Sequence, residues 1–176
     1  MRALSLTQPW ATLVMLGDKR IETRSWQTPY RGWIAIHAAK GFPGRAKALM
    51  GQEPFQTALR RGGYPAGHPK SDNCLPRGAI LGFALLHRVG EIIRRSDGAV
   101  MVRSAEMEIT GAELDFGNYT PGRFGWRFSN LYRLPEPIPA RGMLRLWGWA
   151  PPEGLRLPTG YGFPDELTRG GEGAVT

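Results

Sequence analysis

The sequence has little of what disulfide-linked or cysteine-based metal domains require, because its 176 residues include one cysteine, Cys74. A single cysteine can form no internal disulfide and cannot supply a cysteine-type metal site. No run approaches the roughly 18 consecutive apolar residues of a transmembrane helix, and the opening MRALSLTQPW reaches a proline too early for a secretory signal. We therefore expect a cytoplasmic protein that has no metal, no cofactor and no membrane partner.

Acidic residues are also scarce relative to basic ones. The chain holds 15 Asp and Glu against 23 Lys and Arg, which gives a net charge of +8 and a pI near 10.2. The excess lies before residue 151, since residues 151–176 carry four carboxylates and two arginines. A domain of this charge attracts polyanions, so the composition favours RNA, another nucleic acid or a nucleotide-like small molecule as partner. The alternative is a basic protein without such a ligand.

Short strands dominate the predicted secondary structure, with about six expected from seven candidate segments. The candidate strands are Arg2–Leu6, Arg20–Trp26, Trp33–Ala38, Gly78–Val89, Gly98–Val102, Phe124–Leu134 and Met143–Trp149. A short helix is predicted after Pro9, with Gly17 ending it at a positive φ. Ala46–Met50 and Glu53–Arg61 are predicted helices, and Ala112–Phe116 is a predicted helical turn. Because regular strand–helix alternation is missing, we predict a mainly β (α+β) fold: a small β-barrel with an early helix and a helical excursion after the third strand.

Two segments differ from the rest in composition. Gly62–Arg77 is rich in Gly, Pro and polar residues, which predicts a long loop. Ten of the last 26 residues are Gly or Pro, and these residues show no periodicity. We therefore predict one domain over residues 1–150 and a tail over residues 151–176 that is flexible at least from about Leu167.

The most distinctive motif follows the first predicted helix. Gly17, Lys19, Glu22 and Arg24 form the pattern Gly-x-Lys-x-x-Glu-x-Arg. This pattern resembles the signature of the ASCH family (activating signal cointegrator homology), a relative of the PUA domain, and the flanking sequence agrees over roughly residues 2–149. The resemblance implies a PUA-like β-barrel with a cleft near the first helix and binding of RNA or other nucleic acids. A few proteins similar to this family are N4-acetylcytidine amidohydrolases, and at least one is a ribonuclease.

The signature residues suit the recognition of a nucleotide. On a strand, Glu22, Arg24 and Trp26 share one face, with neighbours on that face about 7 Å apart. Arginine forks onto a phosphate, a carboxylate accepts from an exocyclic amine, and tryptophan stacks on a base. Lys19 lies in the turn, from which a short swing brings its ammonium to the same cleft. The alternative is a structural ion pair between Glu22 and Arg24 beneath the helix.

Further candidates lie on other segments. Tyr30 and Arg31 precede a core strand and are candidates for the flank of the cleft, while Trp126 and Arg127 are candidates for its rim. His37, at the end of a predicted strand, has two interpretations, a general acid or base and a hydrogen-bonded core histidine.

Three functions remain open on this evidence. The first is RNA or nucleotide binding in a cleft lined by Lys19, Glu22 and Arg24. The second is a small, metal-independent ribonuclease or modified-nucleoside hydrolase, whose candidate catalytic residues are Lys19, Glu22, Tyr30 and His37. Glu22 argues against the hydrolase, because the acetylcytidine amidohydrolases have a nucleophilic threonine at that position. The third is a scaffold module that docks through its tail.

Overall fold

A strongly curved β-sheet forms the body of the protein in the computed structural model, which describes residues 1–65, 74–103 and 107–158. The strands within these residues are β1 (Arg2–Leu6), β2 (Ile21–Arg24), β3 (Gly32–Ala38), β4 (Ala79–Arg94), β5 (Val100–Val102), β6 (Met107–Glu108), β7 (Phe124–Pro139) and β8 (Leu146–Gly148). The helices are α1 (Trp10–Leu16), α2 (Gly44–Leu49), α3 (Phe55–Arg61) and α4 (Ala112–Asp115). The predicted mainly β, barrel-like fold with an early helix and a helical excursion after β3 is confirmed.

The main path of the sheet runs β2-β7-β4-β3-β1-β8, and β5 and β6 extend from β4. β1 and β3 are parallel, with Arg2 opposite Ile34, and the other pairs are antiparallel. β4 and β7 are 16 residues long, and their shared ladder contains three register shifts. Such irregularities bend a sheet, which brings its two end strands, β2 and β8, towards each other.

Where backbone pairing stops, side chains link β2 to β1 and to the residue that precedes β8. Arg24 of β2 donates from Nη2 to the backbone oxygen of Ser5 in β1 at 2.9 Å. The Arg145 guanidinium, just before β8, lies 5.5 Å from the centroid of the Trp26 ring, just after β2. The gap between β2 and β1 is thus bridged by polar side chains, and a cleft opens beside it.

Helix α1 packs one face against the inside of the sheet. Ala11, Val14 and Met15 pack into the core cluster of the sheet, whereas Leu13 packs with residues of α2 and α3, so the helix is covered on both sides. Gly17 ends the helix with φ of 80°, and its N–H donates to the oxygens of Leu13 and Val14. The prediction that Gly17 terminates this helix in the left-handed region is confirmed.

Some predicted boundaries were wrong. β2 ends at Arg24, two residues earlier than predicted, because its partner β7 begins opposite it at Phe124. β4 and β7 each run five residues further than predicted. The extra residues of β4 pair with β5 and with the start of β7, and the end of β7 pairs with the start of β4. The two-residue strand β6 was not predicted at all.

The predicted loop and tail lie partly outside the described residues. Residues 66–73 of the loop and 159–176 of the tail, including the part predicted to be flexible from Leu167, are not described. Leu155 and Leu157 pack against the core cluster that contains Trp147 and Trp149. The start of the predicted tail is therefore part of the packed domain. No helix within the described residues is long and apolar enough to cross a membrane.

Candidate functional site

A cleft of about 510 Å³ opens between the end of β1, strand β2 and the segment that follows α4. We call it the Lys19 cleft. Its charged lining consists of the cations Lys19, Arg24, Arg45 and Arg123 and the carboxylates Glu22 and Asp115. Trp10, Thr7 and Asn118 also line it. Lys19, Glu22 and Arg24, which the sequence predicted to share a cleft, are thus brought together.

The sequence suggested that Lys19 swings into the cleft from the turn. In the structure its side chain is instead held in place. Its side chain is 1% exposed, and Nζ donates to the backbone oxygen of Ile21 at 2.6 Å. Nζ also lies 3.8 Å from Glu22 Oε2 and 4.0 Å from Glu113 Oε1. Burial lowers the pKa of the Lys19 ammonium, and the two carboxylates act against this lowering. A buried charge requires such partners, so the three groups form one electrostatic unit.

Glu113 of α4 connects this unit to the edge of the sheet. Its carboxylate accepts hydrogen bonds from the N–H groups of Arg20 at 2.8 Å and Ile21 at 3.3 Å. The Tyr119 hydroxyl donates to Glu113 Oε1 at 2.6 Å. Burial, and then the charge of Glu113, raise the pKa of Tyr119 above its ordinary value, so this hydroxyl keeps its proton. Glu113 therefore fixes both the start of β2 and the position of Lys19.

Glu22 and Arg24 project into the cleft, whereas Ile21 and Thr23 are buried on the opposite side of β2. Arg24 Nε lies 3.3 Å from Glu22 Oε1, which is ion-pair distance. The two groups are not aligned for a hydrogen bond, and Arg24 Nε is a buried donor without a hydrogen-bond partner. The predicted adjacency of Glu22 and Arg24 on one strand face is confirmed, and the pair leaves part of the guanidinium's donor capacity unused.

Arg123, which immediately precedes β7, provides a second guanidinium to the cleft. It donates from Nη2 to the backbone oxygen of Thr23 at 3.1 Å, while its Nε is buried without a hydrogen-bond partner. Buried donors are rarely left unpaired in folded proteins. Arg24 and Arg123 both line the cleft, and guanidinium groups suit bidentate contacts with phosphate or carboxylate, so the cleft is suited to an anion.

The two tryptophans predicted near this site do not line the cleft. Trp126 has no exposed surface, and its indole Nε1 donates to the backbone oxygen of Trp26 at 3.3 Å. The two rings meet edge to face with centroids 4.6 Å apart. Because β2 ends at Arg24, the chain turns before Trp26 and the strand alternation no longer applies to it. Trp26 therefore packs against the core, and the rim position expected for Trp126 was wrong.

Trp10 takes the place that was expected for Trp26. The sequence suggested that Trp10 belongs to the core, but it is half-buried, lines the cleft and packs edge-on against Phe55 at 6.3 Å between centroids. Phe116 also lines the cleft but is buried, so Trp10 is the partly exposed aromatic ring beside its cations.

Tyr30, Arg31 and Arg127 do not line the cleft either. Tyr30 donates its hydroxyl to the backbone oxygen of Trp33 at 2.8 Å and faces a separate hollow. Arg31 donates to the backbone oxygens of Thr28 and Tyr30 at 2.9 and 2.8 Å. Both residues of the turn are thus used in local hydrogen bonds. Arg127 stands opposite Ile21 in the β2–β7 ladder.

His37 lies in a different cleft from Lys19. It is 1% exposed, with Nε2 3.1 Å from the backbone oxygen of Ala140 and Nδ1 3.1 Å from Ser5 Oγ. Burial lowers the pKa of the imidazole, which favours the neutral ring. The structure gives His37 the position of a hydrogen-bonded core histidine. The four candidate catalytic residues of the sequence analysis are therefore not brought together, since Tyr30 and His37 lie away from Lys19 and Glu22.

Sequence reasoning missed several residues of the Lys19 cleft and its support. These are Arg45, Glu113, Asn118, Tyr119 and Arg123. All lie far along the chain from Lys19, and no local pattern connects them to it. Within the described residues, no group of three or more His, Cys, Asp or Glu side chains is placed to hold a metal ion.

Comparison with known proteins identifies the family. The model of the ASCH domain matches residues 4–120, which include Lys19, Glu22, Arg24, Arg45, Glu113 and Tyr119. The match ends before β7, so the resemblance expected up to residue 149 is covered only in part. Activating signal cointegrator 1 of Homo sapiens and that of Mus musculus are 52% and 48% identical over 49 residues. That segment is 27% of this chain and 8% of each of these relatives. The chain belongs to the ASCH domain family.

Proposed function

We propose that the protein binds single-stranded nucleic acid, RNA in the first place, and that a nucleotide of the strand occupies the Lys19 cleft. ASCH domains are generally thought to bind RNA, and the basic charge of this chain agrees with a polyanionic ligand. The observation that carries the proposal is the set of three guanidinium groups, Arg24, Arg45 and Arg123, that line one cleft together with the half-buried ring of Trp10.

Each part of the nucleotide has a matching group in the cleft. Arg24, Arg123 and the exposed Arg45 hold the phosphate, because arginine contacts phosphate in a bidentate manner. Glu22 accepts from an exocyclic amine of the base, as carboxylates do from cytosine. Trp10 supplies an aromatic surface on which a base stacks. Lys19, being buried, contributes its field and positions Glu22 and does not itself contact the ligand.

Binding without catalysis is favoured over the two enzymatic alternatives. Metal-independent cleavage of RNA needs a base for the 2′-hydroxyl and an acid for the leaving oxygen. Of the candidates for these roles, His37 and Tyr30 lie outside the Lys19 cleft. We therefore expect that the purified protein leaves RNA intact, and a labelled RNA that is shortened on incubation with it would favour the ribonuclease.

The binding proposal is tested by fluorescence anisotropy with a labelled single-stranded RNA of about 12 nucleotides, within the range that small single-strand-binding folds cover. Arg24→Ala and Arg123→Ala should each weaken binding about tenfold, as expected for losing a charged hydrogen bond. Each should also lower the slope of log K against log salt by about 0.7, the loss of one phosphate contact.

Arg95→Ala is the matched control. Arg95 lies beyond the end of β4, is half exposed and pairs with Asp97, so its removal changes the net charge equally without touching the cleft. Equal affinities of all three variants and the wild type would contradict the proposal. A matched DNA strand, tested in parallel, distinguishes RNA from DNA as the preferred ligand.

A further inference from the structure

A second cleft, larger than the first, opens on the other side of Ser5. Its volume is about 950 Å³, and its walls come from the end of β3, the residues just before β4 and the segment between β7 and β8. We call it the His37 cleft. The lining of the His37 cleft includes Ser5, His37, Lys40, Arg77, Arg141 and Leu144.

The segment between β7 and β8 is anchored by a partly buried hydrogen-bond network at the floor of this cleft. Ser5 Oγ lies 3.0 Å from the backbone oxygen of Met143 and 3.1 Å from His37 Nδ1. The Trp147 indole Nε1 donates to the same hydroxyl at 3.2 Å. A Cβ on Gly142 would lie 2.3 Å from His37 Cε1, so this position needs glycine for close approach. The segment is therefore tightly packed onto the floor.

This anchored segment presents two apolar side chains to solvent. Leu144 is 92% exposed and Met143 is 60% exposed, and they are two of the three exposed large hydrophobic residues in the described part of the chain. Arg145, the next residue, has φ of 58°, a conformation that non-glycine residues rarely adopt. Such strain persists where the surroundings impose it and is frequent at ligand contacts. An outward leucine on a rigid support suits contact with a ligand rather than the core.

Among the residues that the structure describes, every charged side chain lining the His37 cleft is a cation. Lys40, Arg77 and Arg141 are exposed at its rim, and its described lining contains no carboxylate. Such a surface attracts an anion. The exposed apolar contact beside it requires an occupant that carries both negative charge and flat apolar surface. A nucleic acid strand has both, in its phosphates and its bases.

Ser5 connects the two clefts. It lines both of them: its backbone oxygen accepts from Arg24 of the Lys19 cleft, and its hydroxyl belongs to the His37 network. The two clefts therefore adjoin at Ser5, with Arg24 and Arg45 lining one and Lys40 and Arg141 lining the other. A single strand that places one nucleotide in the Lys19 cleft has its flanking nucleotides beside the His37 cleft.

We propose that the His37 cleft is a second subsite for the same strand, in which Lys40, Arg77 and Arg141 contact phosphates and Leu144 packs against a base. This inference rests on the proposed function and specifies its ligand as an oligonucleotide and not a free nucleoside. An apolar side chain that inserts between bases is a known device of nucleic-acid-binding proteins. An acidic peptide is the competing occupant, because its carboxylates would meet the same three cations.

The test compares a long and a short ligand. Binding of fluorescently labelled single-stranded RNA of about 12 and about 3 nucleotides is measured, the longer one matching the site size of small single-strand-binding folds. Arg141→Ala and Leu144→Ala should weaken binding of the long RNA, the arginine variant about tenfold, and leave binding of the short RNA unchanged. Arg24→Ala should weaken binding of both, and Arg95→Ala should weaken neither beyond the effect of its charge.

The outcomes separate this inference from the proposed function. If Arg24→Ala weakens binding of both RNAs while Arg141→Ala and Leu144→Ala affect neither, the second subsite is wrong and the first stands. If no variant affects either RNA, the proposed function fails as well. A third outcome is that labelled oligo-glutamate binds the wild type, and that Arg141→Ala lowers the affinity for this peptide but not the affinity for the long RNA. The His37 cleft is then a peptide site. Both substitutions are at exposed positions, and thermal unfolding of each variant verifies that it is folded.

Discussion

The Lys19 cleft and the His37 cleft lie on either side of Ser5 and attract negative charge in two different ways. In the Lys19 cleft two of the cations are fixed by partly buried partners: Lys19 by Glu22 and Glu113, and Arg24 by the backbone oxygen of Ser5. In the His37 cleft the floor is a neutral hydrogen-bonded network and the cations stand at the rim. Fixed geometry favours recognition of a particular chemical group, whereas exposed charge favours contact with the phosphate backbone of a nucleic acid, whatever its base sequence.

This contrast has a consequence for stability. Charge in the Lys19 cleft is part of the folded structure, because β2 is tied to α4 through Glu113. Charge in the His37 cleft is not, because its cations are exposed. Substitution of Glu113 should therefore damage the fold, whereas substitution of the exposed cations of the His37 cleft should damage only the ligand contact.

The largest expected effect is that of Glu113→Ala. It removes a counter-charge of the buried Lys19 and leaves the N–H groups of Arg20 and Ile21 without their acceptor. We expect a loss of about 3 kcal/mol in the free energy of unfolding, measured by urea denaturation. The control is Glu136→Ala, an exposed carboxylate on β7. If both variants are equally stable, Lys19 does not depend on Glu113.

The second effect is on the floor of the His37 cleft. Gly142→Ala places a methyl group against the His37 ring and should cost about 2 kcal/mol by overpacking. The substitution should also weaken binding of the long RNA more than binding of the short RNA, because it displaces Leu144. Gly148→Ala is the control, since a Cβ there meets nothing within 4 Å. Equal melting temperatures for the two variants would show that the segment is not tightly packed.

A smaller effect distinguishes the two tryptophans near the Lys19 cleft. Trp10→Leu should weaken RNA binding at least about fivefold through loss of base stacking. Trp26→Leu should lower the melting temperature, because Trp26 packs on Trp126, and should change affinity less than twofold. Affinity is measured by anisotropy on folded protein. A stronger binding defect in Trp26→Leu would reverse the assignment of the stacking ring.

The smallest effect concerns the pH dependence of stability at His37. Burial lowers the pKa of this imidazole below its ordinary 6.5, so the folded protein binds this proton less readily than the unfolded chain. Its contribution to stability is therefore complete above pH 6.5 and is lost as the pH falls from 6.5 through the folded-state pKa. The free energy of unfolding, measured across this window, should fall more steeply in the wild type than in His37→Gln. Parallel curves for both proteins would contradict the burial of a neutral ring.

Much of the fold was accessible from sequence because its signals are local. The alternation in Arg2–Leu6, the apolar run that became β3 and the glycine at the end of α1 each depend on neighbouring residues. The face shared by Glu22 and Arg24 was accessible for the same reason. The error at Trp26 arose where the strand ended, because the length of β2 is set by its pairing with β7 and by nothing in the residues themselves.

By itself, the sequence determined the fold class, the strand face of Glu22 and Arg24, the end of α1 at Gly17 and the family signature. The tertiary structure alone decided that Lys19 is buried, that Glu113 and Arg123 join it from about a hundred residues away, and that Trp10 rather than Trp26 lines the cleft. It also placed His37 and Ser5 beneath Met143 and Leu144. The physical reason is that periodicity reports what each residue prefers locally, whereas burial and pairing of charge depend on which distant segments the curved sheet brings together.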